Sequence, residues 1–172
     1  MKILRIISVY FFSLSFFTSQ VWAAKAEIKW DHPEKYHDIN PGDNNRKSFQ
    51  DHVFTSFEKH FAKLAMKLPA DQILKIDVTD VDLAGDVNFG SISRIRIVTE
   101  LFFPRMKFSY QLVNADKSIA ESGEINLKDM NFMMSSNLRY RNDTFGYDKQ
   151  MIEKWFYKEF KTKIDDNNNF TN

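Results

Sequence analysis

The chain predicts an α+β fold, a single domain with one mostly antiparallel sheet of about five strands packed by two amphipathic helices. Three observations carry that reading. Several short runs place apolar residues at every second position, the strand period. Two other runs repeat apolar residues every three or four positions, the helical period. The elements follow one another as strand, helix, four strands, helix.

Glu27-Ile-Lys-Trp30 alternates polar and apolar residues and reads as a short half-buried strand. Pro33 ends it, having no amide proton to donate. A polar loop through Asn40-Pro-Gly-Asp43 follows. Phe49, Val53, Phe54, Phe57, Phe61, Leu64, Ala65 and Leu68 then line one face of a helix, which is core rather than a cofactor groove. Ser48-Phe-Gln-Asp51 predicts a capping box at its start, and Pro69 a stop.

Leu74, Ile76 and Val78 alternate with Lys75, Asp77 and Thr79 as the second strand, which runs into Asp80-Val-Asp-Leu-Ala-Gly85 with a turn at Gly85. A third strand is expected from Ser93 to about Leu101, with Ile95, Ile97 and Thr99 on one side and Arg94, Arg96 and Val98 on the other. Pro104 breaks it. The fourth strand turns Met106, Phe108, Tyr110 and Leu112 inward and Arg105, Lys107, Ser109 and Gln111 outward. Asn114-Ala-Asp-Lys117 is a hairpin connection to a fifth strand around Ile119 to Leu127, in which Gly123 predicts a bulge. In the last helix Met151, Ile152, Trp155, Phe156 and Phe160 face inward, with Asp148 expected as N-cap between Tyr147 and Ile152. The tail 165–172 is polar and expected to fray.

Residues 1–23 stand apart. Lys2 and Arg5 precede an apolar run of about a dozen residues, and Val21-Trp-Ala23 offers a small residue at a cleavage point, as in a secretory signal peptide. The run is shorter and more diluted by Ser and Thr than a spanning helix. The expectation is a signal peptide over 1–23, an α+β domain over 24–164 and a tail over 165–172. The mature chain would then reach the periplasm with no transmembrane segment.

Composition excludes several function classes. The leader holds two of the 24 basic residues and none of the 23 acidic ones, so the mature chain is close to neutral. Nucleic-acid binding through bulk charge is thereby excluded. There is no cysteine, which removes thiol catalysis, thiolate zinc and bacterial lipid attachment. The sequence has no Gly-x-Ser-x-Gly elbow, no His-Glu-x-x-His and no phosphate-cradling Gly-rich loop. His32, His37, His52 and His60 contain no i, i+4 ligand pair.

Two clusters remain as candidate chemistry. Asp77, Asp80 and Asp82 are of the type that holds a hard divalent cation, the one cofactor left open, although their spacing does not match the calcium loop. Arg94, Arg96, Arg105 and Lys107 would crowd on one face if the third and fourth strands were neighbours, a geometry suited to an anionic ligand. Each has an ordinary counterpart, turn chemistry for the acids and a solvated sheet face for the cations.

Several segments together resemble one family: Trp30-Asp-His-Pro33 with Tyr36-His-Asp-Ile39, Leu74-Lys-Ile-Asp-Val-Thr-Asp-Val-Asp-Leu-Ala-Gly85, Arg94-Ile-Arg96, Phe103-Pro-Arg105 with Phe108-Ser-Tyr110, Leu127-Lys-Asp-Met130 and Trp155-Phe156. This is similar to the domain of unknown function 3016 family, small exported proteins of proteobacteria. The resemblance implies an envelope location and supplies no activity, ligand or catalytic residue. The reading is therefore a non-catalytic binding or interaction module, with an envelope protein or anionic ligand as partner. The alternative is a metal-dependent hydrolase using Asp77, Asp80 and Asp82.

Overall fold

Four strands form the main sheet of the computed structural model, in the order β1 (Lys25–Trp30), β2 (Ile73–Asp82), β5 (Arg105–Val113), β6 (Ile119–Lys128). The described residues are 23–88, 90, 93–134 and 138–170; the expected signal peptide lies outside them, apart from Ala23. Pairs β2–β5 and β5–β6 are antiparallel, whereas β1 and β2 run parallel. The parallel pair follows from the chain between them. Helix α1 (Arg46–Ala65) crosses from the end of one strand to the start of the next, a connection parallel neighbours require.

The helices cover one face. Val53, Phe57, Phe61 and Leu64 of α1 meet Leu74, Ile76 and Val78 of β2 and Met106, Phe108, Tyr110 and Leu112 of β5 in one core. Helix α2 (Gly146–Glu159) adds Ile152, Trp155 and Phe156. Burying each such large side chain contributes about 1.5–3 kcal/mol. The other face is left to Lys75, Lys107, Ser109, Gln111, Glu124 and Asn126, polar and exposed, as one side of an antiparallel sheet can be.

Local details depart from the sequence reading where a side chain finds a better partner. Helix α1 starts at Arg46, and its cap is Asn45, whose Oδ1 accepts from the Ser48 amide at 3.0 Å; Ser48 lies inside the first turn. Phe145 occupies the N-cap position of α2, and Asp148 turns inward instead. Gly123 sits in regular pairing opposite Tyr110, where a Cβ would press on the tyrosine ring at 2.9 Å. The irregularity falls instead at Leu112/Val113, beside a hairpin that closes with Lys117 at φ 69°.

The tail folds. Helix α3 (Lys161–Phe170) buries Ile164, and Asn167 Nδ2 donates to the carbonyls of Lys67 and Leu68 (3.3 and 3.4 Å), beyond the end of α1. A polar composition concealed one apolar anchor and one capping amide.

The largest departure is the third strand. Only Arg96–Ile97 is extended (β4), and it pairs with Asp86–Val87 (β3) as a separate two-stranded ribbon. The main sheet thus has four strands, with β2 and β5 directly adjacent.

Candidate functional site

The acidic and basic candidates meet across β2 and β5. A register shift between Val78 and Asp80 leaves Thr79 without an opposite number and places Asp80 opposite Lys107 and Asp82 opposite Arg105. Lys107 Nζ lies 3.4 Å from Asp80 Oδ2. Arg105 Nε donates to Asp82 Oδ2 at 2.7 Å, and its Nη2 bonds the same oxygen. Asp80 also accepts from the His37 amide at 3.0 Å. Asp77, before the bulge, takes Lys29 Nζ at 3.0 Å from β1. Each of the three carboxylates therefore has its own cation. Among the described residues, no group of three or more His, Asp or Glu side chains could share a metal ion.

Arg96 is placed differently. It is half-buried and directed inward, with Nη1 donating to Asp38 Oδ2 (2.8 Å) and to the Gly85 carbonyl (2.6 Å) and Nη2 to the Asn40 carbonyl (3.1 Å). One guanidinium thus ties the 38–40 loop, the exit of β2 and the ribbon together, which a single point charge could not do. Arg94 lies at the neighbouring loop, its amide donating to Asp43 Oδ2 at 2.8 Å and Nε 3.8 Å from Asp43 Oδ1. The ribbon does not join β5, so Arg94 and Arg96 are not aligned on a strand beside Arg105 and Lys107. Two positive-φ glycines permit this packing. A Cβ on Gly42 would collide with the Arg94 carbonyl, and one on Gly85 with the Ile97 carbonyl.

Beneath the ribbon lies Asp148, whose Oδ1 accepts from the Ala84 amide at 3.1 Å. Burial raises its carboxyl from the ordinary value to about 7. Next to it in sequence, the Lys149 carbonyl accepts from His60 Nε2 at 3.0 Å, and burial lowers that imidazole to about 4. Both groups are buried, Asp148 at the seam between the exit of β2 and α2 and His60 between α1 and α2.

The ribbon presents the feature that strand alternation concealed. Ile95 and Ile97, read as one side of a half-buried strand, are exposed. Of the eleven large hydrophobics exposed among the described residues, nine fall in two stretches: Ile95, Ile97, Val98, Leu101 and Phe102, then Met130, Met133, Met134 and Leu138. Leu101, Met134 and Leu138 are 81, 85 and 78% exposed. The stretches adjoin. The Asp129 amide donates to the Pro104 carbonyl at 3.3 Å, and Val98 and Leu138 line the same shallow recess with Tyr140 and Tyr147. These adjoining stretches form an exposed apolar ledge.

The fold and this surface define a small α+β domain whose helices cover one face of a sheet and whose loops carry an uncovered apolar ledge. A family model described as "Protein of unknown function (DUF3016)" matches residues 24–158, and the chain belongs to that family. No curated protein and no solved structure matches it. Among the described residues, no helix is long and apolar enough to cross a membrane.

Proposed function

We propose that the protein is an exported interaction module of the periplasm, without catalysis of its own, that holds a partner protein on the ledge formed by residues 95–102 and 130–134 with Leu138. The concentration of exposed apolar side chains on these two adjoining stretches carries the reading. Three neighbouring methionines give the surface a side chain that adapts to a partner's shape. The charges within and beside these two stretches are of both signs, Arg94, Arg139 and Arg141 with Glu100, Asp129 and Asp143. A lipid surface would instead call for a clear basic excess. Export is supported by the composition of residues 1–23 and by a family match that begins at residue 24.

Photo-crosslinking in the source cells tests the reading. A photoreactive residue at Leu101 should give one discrete protein adduct, and the same residue at Lys75, on the open sheet face, should give none. Adducts from both positions alike, or none from Leu101, would contradict it. An adduct with lipid alone would assign the ledge to the membrane surface and overturn the protein partner. The mass of the periplasmic protein should correspond to a chain starting at Ala24; an intact leader on the recovered protein would contradict export by cleavage.

A further inference from the structure

Among the described residues neither edge of the main sheet is paired, and the two edges are not equivalent. On β1, Trp30 stacks on Phe54 of α1 at 4.2 Å between ring centroids and donates to Glu58 Oε1 at 2.8 Å, so the end of that strand is already held by the helix. Strand β6 is longer, with 10 residues, and is the last in the sheet. Its parity is fixed by the bond from the Asp129 amide to the Pro104 carbonyl, which places the odd-numbered backbone groups toward β5. The amides and carbonyls of Ser122, Glu124, Asn126 and Lys128 therefore point away from the sheet. Their side chains lie on the exposed face, and Ile125 and Leu127 on the helix face are only half-buried at the rim of the core.

We propose that this edge pairs with β6 of a second copy of the chain, antiparallel and centred on Asn126. In that register Glu124 stands opposite Lys128 of the second copy, twice by symmetry, and Ile125 stands opposite Leu127 of the second copy. Asn126 faces its own symmetry mate in a bonded pair. Neither Glu124 nor Lys128 forms an ion pair among the described residues, so both are available for this one. Registers centred on Glu124 or Lys128 oppose like charges, and those centred on Ile125 or Leu127 give Glu124 and Lys128 no partner of opposite charge. Only the Asn126 register joins complementary charge on one face with aliphatic cover on the other. An isologous contact of this kind extends the sheet across the two copies and closes an otherwise adhesive edge.

Sedimentation velocity of the purified protein over a wide concentration range tests it. The wild type should sediment as a reversible dimer. Lys128→Glu and Glu124→Lys, each on the solvent face, should weaken association at least about tenfold, because each opposes like charges in the dimer. Mixing the two variants should restore a heterodimer, since the Glu124→Lys copy carries a cation at both positions and the Lys128→Glu copy a carboxylate at both. The double reversal in one chain should restore the homodimer. Asn126→Pro should remove the dimer without altering circular dichroism, because its amide is not used within the sheet. A monomer at every concentration overturns the proposal, as does wild-type association by both single variants or failure of the mixture to recombine. A dimer lost on Leu101→Asp but indifferent to these charges would also overturn it, and would place the contact on the ledge instead.

Discussion

The sheet and helices and the loop ledge are both rich in large apolar residues, and they use them in opposite ways. In the body, Phe57, Phe61, Phe156 and Phe160 have no exposed surface. On the ledge, Leu101, Met134 and Leu138 keep most of theirs. The difference lies in what stands opposite. Body residues recur at helical or strand period and find the complementary face of another element. Ledge residues lie on a short ribbon, on loops and, for Leu138, at the start of a single 3-10 turn (Leu138–Tyr140), with no element of the described chain laid over them. Apolar content alone says nothing about burial; the availability of a second layer does.

Changes in the body should therefore cost most. Phe57→Ala should lower the unfolding free energy by about 3–5 kcal/mol, measured by urea denaturation, through lost burial and a cavity that close packing cannot refill. A cost below about 1 kcal/mol would mean that the α1 face is less tightly packed than its burial indicates.

The seam between the two regions should show in pH dependence. Asp148 is raised by burial, so it stabilises the fold fully below about pH 4 and loses that contribution as pH rises toward 7. His60 is lowered by burial, so its contribution is present above about pH 6.5 and is lost as pH falls toward 4. The two slopes oppose each other across that interval and leave the wild type nearly flat. Asp148→Asn keeps an acceptor for the Ala84 amide and removes one slope. Its stability should then rise between pH 4 and 6.5 by up to about 3 kcal/mol. Parallel wild-type and variant curves would show that Asp148 ionises normally.

Arg96→Ala should cost about 2–3 kcal/mol, since it leaves Asp38 and the carbonyls of Asn40 and Gly85 without their shared donor. Arg96→Lys should recover less than half of this, because an ammonium lacks the planar fork that reaches all three. Full recovery would reduce the residue to a simple counter-charge. The smallest effect in the body belongs to the hairpin, where Lys117→Gly should gain about 1 kcal/mol by relieving a left-handed backbone at φ 69°.

Periodicity made the body legible in the sequence. The inward set Met106, Phe108, Tyr110 and Leu112 is buried as its spacing predicts, and so is the α1 stripe apart from Phe49 and Phe54, which are partly buried. The ribbon was not legible, because Arg94-Ile-Arg-Ile97 alternates as a strand would whether or not a sheet receives it. Nor was the pairing of Asp80 with Lys107 and Asp82 with Arg105, which depends on an unpaired Thr79 that leaves no mark in a single sequence. Asp148 looked like a cap because helix starts favour Asp; its burial depends on Ala84, 64 positions away in the chain.

The division between body and ledge is tested most directly by the unfolding free energy of a Leu101→Asp, Met134→Asp double variant. Two charges on side chains that the fold leaves uncovered should change it by no more than about 0.5 kcal/mol each. A loss of several kcal/mol would show that the ledge is part of the core and not a surface kept for a partner.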